Sequence, residues 1–131
     1  MGILSKLFGA NINGLKRNGD IDGLIKALSH KDWEIRSDAA MALGELRNKR
    51  GVDPLIAALQ DEKSVVRNSA IGALGMIGDL RALNSLKAAL QDADIGNRPT
   101  ARMAINLLES QQTAETYEKH LESERQRLQN E

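Results

Sequence analysis

Few residues in this sequence are of the types that usually carry catalysis or bind a metal ion. There is no cysteine, and the two histidines, His30 and His120, lie 90 positions apart without a following glutamate. The segment DADIGN that begins at Asp92 starts like a calcium loop, but its twelfth position is Met103 rather than glutamate. We therefore predict no catalytic residues, no metal site, no cofactor and no enzymatic activity.

Three arginines recur at an interval of 31 residues and are the strongest candidates for a charged site: Arg36, Arg67 and Arg98. They could form a row that binds phosphates. Alternatively, they could pair inside the fold with Asp53, Asp61 or Asp92. We favour the internal ladder, because aspartates in the turns recur with the arginines. In addition, 18 acidic residues balance 18 basic ones, without the positive excess that usually marks a nucleic-acid binder.

The arginines belong to a longer repeat that predicts the elements around them. Residues 20–50 and 51–81 are identical at 11 of 31 positions, and the register continues beyond Leu86. Each copy has the apolar spacing of a short helix followed by a longer one. Asp53 is a candidate cap for a short helix, with Pro54 at the first helical position, and Asp32 or Ser64 for a long one.

Within the long helices, Gly44 and Gly75 suggest that another helix passes close, and Gly78 is placed to end the second one. In the third copy, Asn97 replaces an apolar residue and Pro99 follows it, so that helix should start late, near Asn97.

Both ends of the chain continue the register and predict half-repeat caps. Leu4, Phe8, Ile12 and Leu15 match the apolar positions of a long helix, although Ile3, Leu7 and nearby lysines could instead rest on a membrane. Ala114, Tyr117 and Leu121 match those of a short helix. We thus expect one domain over 1–131, with an N-terminal cap helix (1–19), repeats at 20–50, 51–81 and 82–109, and a C-terminal cap helix and tail (110–131), fraying beyond about Arg125.

The pattern that starts at Asp53 resembles the short HEAT-like repeat, also called the phycobiliprotein-lyase repeat. It reads D-P-L-I-x-A-L and then V-R-x-x-A-x-x-A-L-G-x-I-G, and the resemblance covers residues 20–109. It implies an all-α, right-handed α-solenoid of three helix pairs. Proteins with such repeats include chromophore-lyase subunits, iron-dependent hydroxylases with His-Glu ligand pairs, DNA-repair glycosylases and scaffolds, so the fold does not assign the function.

The resemblance also implies that the long helices line a concave face where partners bind. On this face, the side opposite the core stripe, we predict a partner-binding site that combines methionines and a tryptophan with acidic residues. Its residues are Trp33, Glu34, Ser37, Asp38, Met41, Glu45, Val65, Asn68, Ser69, Met76, Met103 and Leu107. The alternative is that Trp33 and the methionines only fill gaps between repeats.

From these observations we expect a monomeric cytoplasmic scaffold that binds another protein or peptide, with neither nucleic acid nor a membrane as its partner. Two other functions remain open: an accessory subunit of a chromophore-lyase-like enzyme, and a glycosylase-like nucleic-acid binder.

Overall fold

A computed structural model describes residues 11–131 of the chain, and this part is helical without strands. Short helices alternate with long ones, and short 3-10 turns precede the second and third short helices at Lys49–Gly51 and Leu80–Ala82. After a helical segment at 11–17, the helices are α1 (Ile21–Ala27), α2 (Trp33–Leu46), α3 (Val52–Ala58), α4 (Ser64–Ile77), α5 (Leu83–Ala89) and α6 (Asn97–Gln129). The prediction of an all-α repeat fold is confirmed. In the described part, no helix is both long and apolar enough to cross a bilayer.

Turn residues fix where the helices begin. Asp32 caps α2 and accepts a hydrogen bond from the Glu34 N–H, as predicted. The capping roles predicted for Asp53 and Ser64 are wrong, because each residue already lies within the first turn of its helix. Pro54 is the third residue of α3, where the N–H it lacks has no intrahelical acceptor.

The core lies between successive long helices and beneath the short ones. The backbones approach so closely that a Cβ added at Gly44 would lie 2.6 Å from Ala73 Cα. One added at Gly75 would lie 2.9 Å from Ala104 Cβ. The predicted close passage of another helix is therefore confirmed at both glycines. The largest fully buried side chains are Leu24, Ile35, Leu43, Leu55, Ile71, Leu74, Leu86 and Leu108, with Val52 and Val66.

The N-terminal segment covers the first helix pair. Residues 11–17 are helical, Ile12 is buried, and Leu15 packs against the core. Gly19 ends the segment with a φ of +64°, a left-handed conformation that favours glycine. Leu4 and Phe8, the other predicted cap positions, lie outside the described residues.

The C-terminal cap differs from the prediction. Instead of a separate helix after residue 109, α6 runs without interruption from Asn97 to Gln129. Arg47 and Gly78 end the first two long helices in left-handed conformations. The third copy has Glu109 at that register position, a good helix former, and neither glycine nor proline follows it.

The start of α6 at Asn97 agrees with the prediction. Asn97 replaces the apolar residue of the earlier copies, and it is buried. Its side-chain amide donates a hydrogen bond to the Ser64 carbonyl oxygen at 3.0 Å. This bond satisfies a donor of the Asn97 side chain, which would otherwise be buried without a partner where the earlier copies have an apolar residue.

Candidate functional site

Exposed apolar side chains on all three long helices form what we call the long-helix surface. Between 36% and 67% of each of these side chains is accessible to solvent. They are Trp33 and Met41 on α2, Val65 and Met76 on α4, and Met103 and Leu107 on α6. Large side chains of this kind are usually buried in monomers, and a cluster that stays exposed usually marks an interaction site.

Repeat geometry brings members of the long-helix surface together. A Cβ added at Gly44 would lie 3.0 Å from Met76 Sδ, so Met76 lies over the glycine of the preceding helix. One added at Gly75 would lie 3.6 Å from Leu107 Cδ1, so Leu107 occupies the corresponding place one repeat later. Met76 and Leu107 therefore each lie over the long helix that precedes their own.

Gly72 differs from the two packed glycines. It occupies the register position between Met41 and Met103, and a Cβ added there would meet nothing within 4 Å. Glycine inside a helix is less stable than alanine by about 0.5–1 kcal/mol. Packing inside the chain does not require this glycine, which leaves an open notch in the surface.

Three residues predicted for the face instead lie largely between the helices. Ser37 is buried, and its hydroxyl oxygen is 2.7 Å from that of Ser69 on the next long helix. Asn68 is half-buried, and its buried Oδ1 has no hydrogen-bond partner among residues 11–131. Their visible contribution is to the α2–α4 packing rather than to the exposed surface.

The surface is acidic at the α2 end. Glu34 and Asp38 are exposed on the first turns of α2, close to the N-cap Asp32. Partial burial raises the pKa of Asp38, and the carboxylates of Glu34 and Asp32 raise it further. At the other end of α2, Glu45 is already paired with Lys16, whose Nζ donates to it at 2.6 Å, so the unbalanced charge is that of the first turns. A cationic group brought to this region would therefore be attracted.

Two of the three recurring arginines, Arg36 and Arg67, form the predicted internal ladder. Arg36 donates from Nε and Nη2 to the two carboxylate oxygens of Asp61, at 2.8 and 3.0 Å. Arg67 binds Asp92 in the same way, at 2.9 and 3.1 Å. Since these four side chains are largely buried and paired, the row is not available to bind phosphates.

At both ends of this ladder, the repeat lacks one partner of the arginine–aspartate pair. Arg98 is exposed and donates from Nε to the Asp92 carbonyl oxygen at 3.0 Å, and no carboxylate in the described part pairs with it. At the other end, His30 occupies the position of Asp61, and its Nδ1 accepts a hydrogen bond from the Asp32 N–H. The preceding copy has Ser5 where the next copies have arginine, so a carboxylate at His30 would have no guanidinium to bind.

The described residues do not fit an iron centre of the His-Glu type. His30 lies in the α1–α2 turn and His120 on the exposed part of α6. Within residues 11–131, no group of three or more His, Cys, Asp or Glu side chains is arranged to hold a metal ion.

A family model for HEAT repeats matches residues 21–106, which is most of the chain. The chain belongs to the HEAT repeat family. HEAT repeats generally serve as protein-interaction scaffolds. No curated protein shows significant similarity to the sequence.

The solved structures that share the fold include a human hydroxylase and an engineered protein. Human deoxyhypusine hydroxylase, solved in complex with glycerol, superposes with a TM-score of 0.68 at 22% identity over 87% of this chain and 49% of the other. The crystal structure of an engineered protein gives a TM-score of 0.62 at 22% identity over 78% of this chain and 50% of the other. The chain thus spans about half the length of the solved chains that it matches. Likeness at this identity establishes the fold alone.

The hydroxylase corrects one prediction from the sequence, namely that this chain is not an enzyme. An enzyme shares the fold, so membership of this repeat family does not separate scaffolds from enzymes. The lack of a recognisable nucleophile does not support that conclusion either, since a hydroxylase needs none.

Proposed function

We propose that the long-helix surface of this HEAT-repeat protein binds another protein, through a segment that is basic or neutral and carries apolar anchors. The observation that carries the proposal is Gly72, a helical glycine without a packing role that lies between methionines on an exposed surface. Its notch leaves room for a partner's side chain or for close approach of its backbone. Methionine side chains can adjust to the shape of such a segment.

Charge supports a basic or neutral segment over an acidic one. Glu34 and Asp38 add negative charge near the start of α2, and the pKa of Asp38 is raised by partial burial first and by repulsion from Glu34 and Asp32 second. A lysine or arginine of the partner would relieve that repulsion. The same charges disfavour nucleic acid on this surface, because phosphates would meet carboxylates.

The test is a comparison of two double variants that add the same charge. Met41→Glu with Met76→Glu places carboxylates around the notch, whereas Ala57→Glu with Ala88→Glu places them on exposed positions of the short helices α3 and α5. Immobilised chains would capture proteins from the native cell, with quantitative mass spectrometry as the readout. We expect the methionine variant to lose a partner by about tenfold or more, and the alanine variant to retain it.

The opposite pattern would place the working surface on the short helices. Unfolding of the methionine variant would assign both methionines to the core, and circular dichroism checks this.

A second readout uses the Asp38 side chain in the folded protein. On binding of a basic segment, its pKa should fall, because a nearby positive charge favours the carboxylate. A carboxyl-detected NMR titration with and without the captured partner measures the direction.

A further inference from the structure

Beyond Ser110, α6 extends past the helix pairs. Every residue from Glu109 to Ser123 is exposed, and Gln111 packs beside Gly78 at the base of this extension. Residues 110–129 form a helix about 30 Å long, at 1.5 Å per residue. In water, most helical stability comes from packing of an apolar face rather than from helix propensity. The extension therefore presents a face that is suited to packing against something outside this chain's own repeats.

The extension carries an apolar stripe with coiled-coil spacing. Leu107, Ala114, Leu121 and Leu128 follow one another at intervals of seven residues, and Tyr117 lies between the second and third. Tyr117 is 63% exposed and Leu128 62% exposed. These residues occupy five of the seven positions that alternate at intervals of three and four from residue 107 to 128, and the other two are Ser110 and Glu124. Such spacing favours a partner helix that lies alongside.

Stacking of a further HEAT repeat on the end of the solenoid is disfavoured. Positions that are buried in the first two copies become large and polar in the third. Ala40 and Ile71 correspond to Arg102, and Gly44 and Gly75 correspond to Asn106. Both Arg102 and Asn106 are exposed. The partner of α6 should therefore be a single helix along its stripe.

Charged residues beside the stripe indicate which helix pairs with α6. Glu118 and Arg125 lie on the same flank, each three residues before a stripe leucine. When two identical helices pair antiparallel, this flank faces its own copy. Glu118 of each chain then meets Arg125 of the other, with Leu121 near the centre and Tyr117 opposite Leu128. In parallel pairing, this flank instead faces the flank on the other side of the partner's stripe. That second flank carries Thr113, His120 and Arg127, so it offers no acidic residue to pair with Arg125.

We propose that the α6 extension is a dimerisation element that pairs antiparallel with the same helix of a second copy. The two helix-pair domains then lie at opposite ends of a two-fold symmetric particle. This differs from the monomer expected from the sequence. Glu124 occupies the stripe position between Leu121 and Leu128, 3.4 Å from Arg127 of its own chain. A carboxylate on the stripe, between the two paired helices, limits the affinity, so the dimer should be reversible.

Sedimentation equilibrium on the full chain tests the interaction. We expect a concentration-dependent dimer. Leu121→Glu should weaken it about tenfold or more, whereas Gln126→Glu, with the same added charge on the opposite side of α6, should not. Glu124→Leu should strengthen it. An unchanged melting transition at low concentration confirms that each variant folds. A wild-type chain that stays monomeric at about 100 μM overturns the proposal, as does a Leu121→Glu chain that dimerises equally well.

Two further experiments test the antiparallel orientation. Glu118→Arg and Arg125→Glu should each weaken the dimer, and the double variant should restore it. Because the chain has no cysteine, Tyr117→Cys and Leu128→Cys also provide clean cross-links. A mixture of the two should oxidise to a covalent dimer, while neither alone should, because like positions lie about 16 Å apart along the axis. Cross-linking of each variant with itself would show parallel pairing and overturn the proposal.

Discussion

At the residue scale, Asp92 joins the second and third repeats. Its carboxylate accepts both hydrogen bonds from Arg67 and one from the Asp94 N–H. Asp92→Asn should lower the free energy of unfolding by about 3 kcal/mol, because the largely buried Arg67 guanidinium loses its counter-charge. Urea unfolding at pH 7 measures this. As a control, Asp53→Asn removes an exposed carboxylate 3.7 Å from Arg81 and should leave the midpoint unchanged. Equal losses in both variants would contradict the prediction.

The same pair predicts a pH dependence. The hydrogen bond from Arg67 is the main reason that the pKa of Asp92 lies below its ordinary value. The folded state therefore binds this proton more weakly than the unfolded chain. The stabilisation is complete above the ordinary pKa of about 4 and is lost as the pH falls through the lower folded-state pKa. The difference in unfolding free energy between wild type and Asp92→Asn should narrow as the pH falls from 5 towards 2, and a constant difference would contradict this account.

Arg47 carries backbone strain that its repeat equivalent avoids. Its φ is +51°, whereas the corresponding position in the next copy is Gly78, with a φ of +73°. Arg47→Gly should raise the free energy of unfolding by about 0.5–1 kcal/mol, because glycine adopts this conformation without a Cβ clash. Gly78→Ala should lower the free energy of unfolding, because a residue with a Cβ is strained at this positive φ. The end of the Gln111 side chain would also have to move to make room for the new Cβ. Thermal melts of both variants test the pair, and a less stable Arg47→Gly chain would count against it.

At the element scale, two glycines of consecutive long helices should respond in opposite ways to alanine. Gly72→Ala should stabilise the fold by about 0.5–1 kcal/mol, because it improves helix propensity and meets open space. Gly44→Ala should destabilise it by about 1–3 kcal/mol, since its Cβ would lie 2.6 Å from Ala73 Cα. Chemical denaturation of both variants measures the contrast. A destabilised Gly72→Ala chain would show that the notch is needed for folding.

The elements also show why part of the structure could be predicted from the sequence. Residues that recur in the repeat, such as Gly44 and Gly75, indicate close helix packing, because each copy makes the same contact with its neighbour. The internal Arg–Asp ladder was predictable for the same reason, although its aspartates had to be chosen among three candidates. The exposed position of Gly72 could not be predicted, since the sequence alone does not show whether a neighbouring backbone lies beside a helical glycine.

The whole molecule was hardest to predict at its ends, where no neighbouring copy constrains the chain. Register alone suggested a separate helix around Ala114–Leu121. Continuation of α6 is favoured instead by the lack of a breaker after Glu109. Three hydroxyl groups along this stretch, beginning with Ser110, bond to carbonyl oxygens one turn earlier in the helix. The apolar residues that suggested packing on the preceding repeat are consequently exposed along α6.

Removal of the N-terminal segment should therefore destabilise the helix pairs, whereas removal of the C-terminal extension should not. Deletion of residues 1–17 removes Ile12 and Leu15 from the core and should lower the melting temperature or cause unfolding, because it exposes the apolar surface of α1 and α2. Deletion of residues 113–131 removes only side chains that are mostly exposed, so it should leave the transition of the remaining helices unchanged at low protein concentration. Calorimetry of the two truncated chains measures both effects. If the C-terminal deletion also unfolds the helix pairs, the extension supports them directly and is not an independent element. If the N-terminal deletion has no effect, residues 11–17 do not act as a cap.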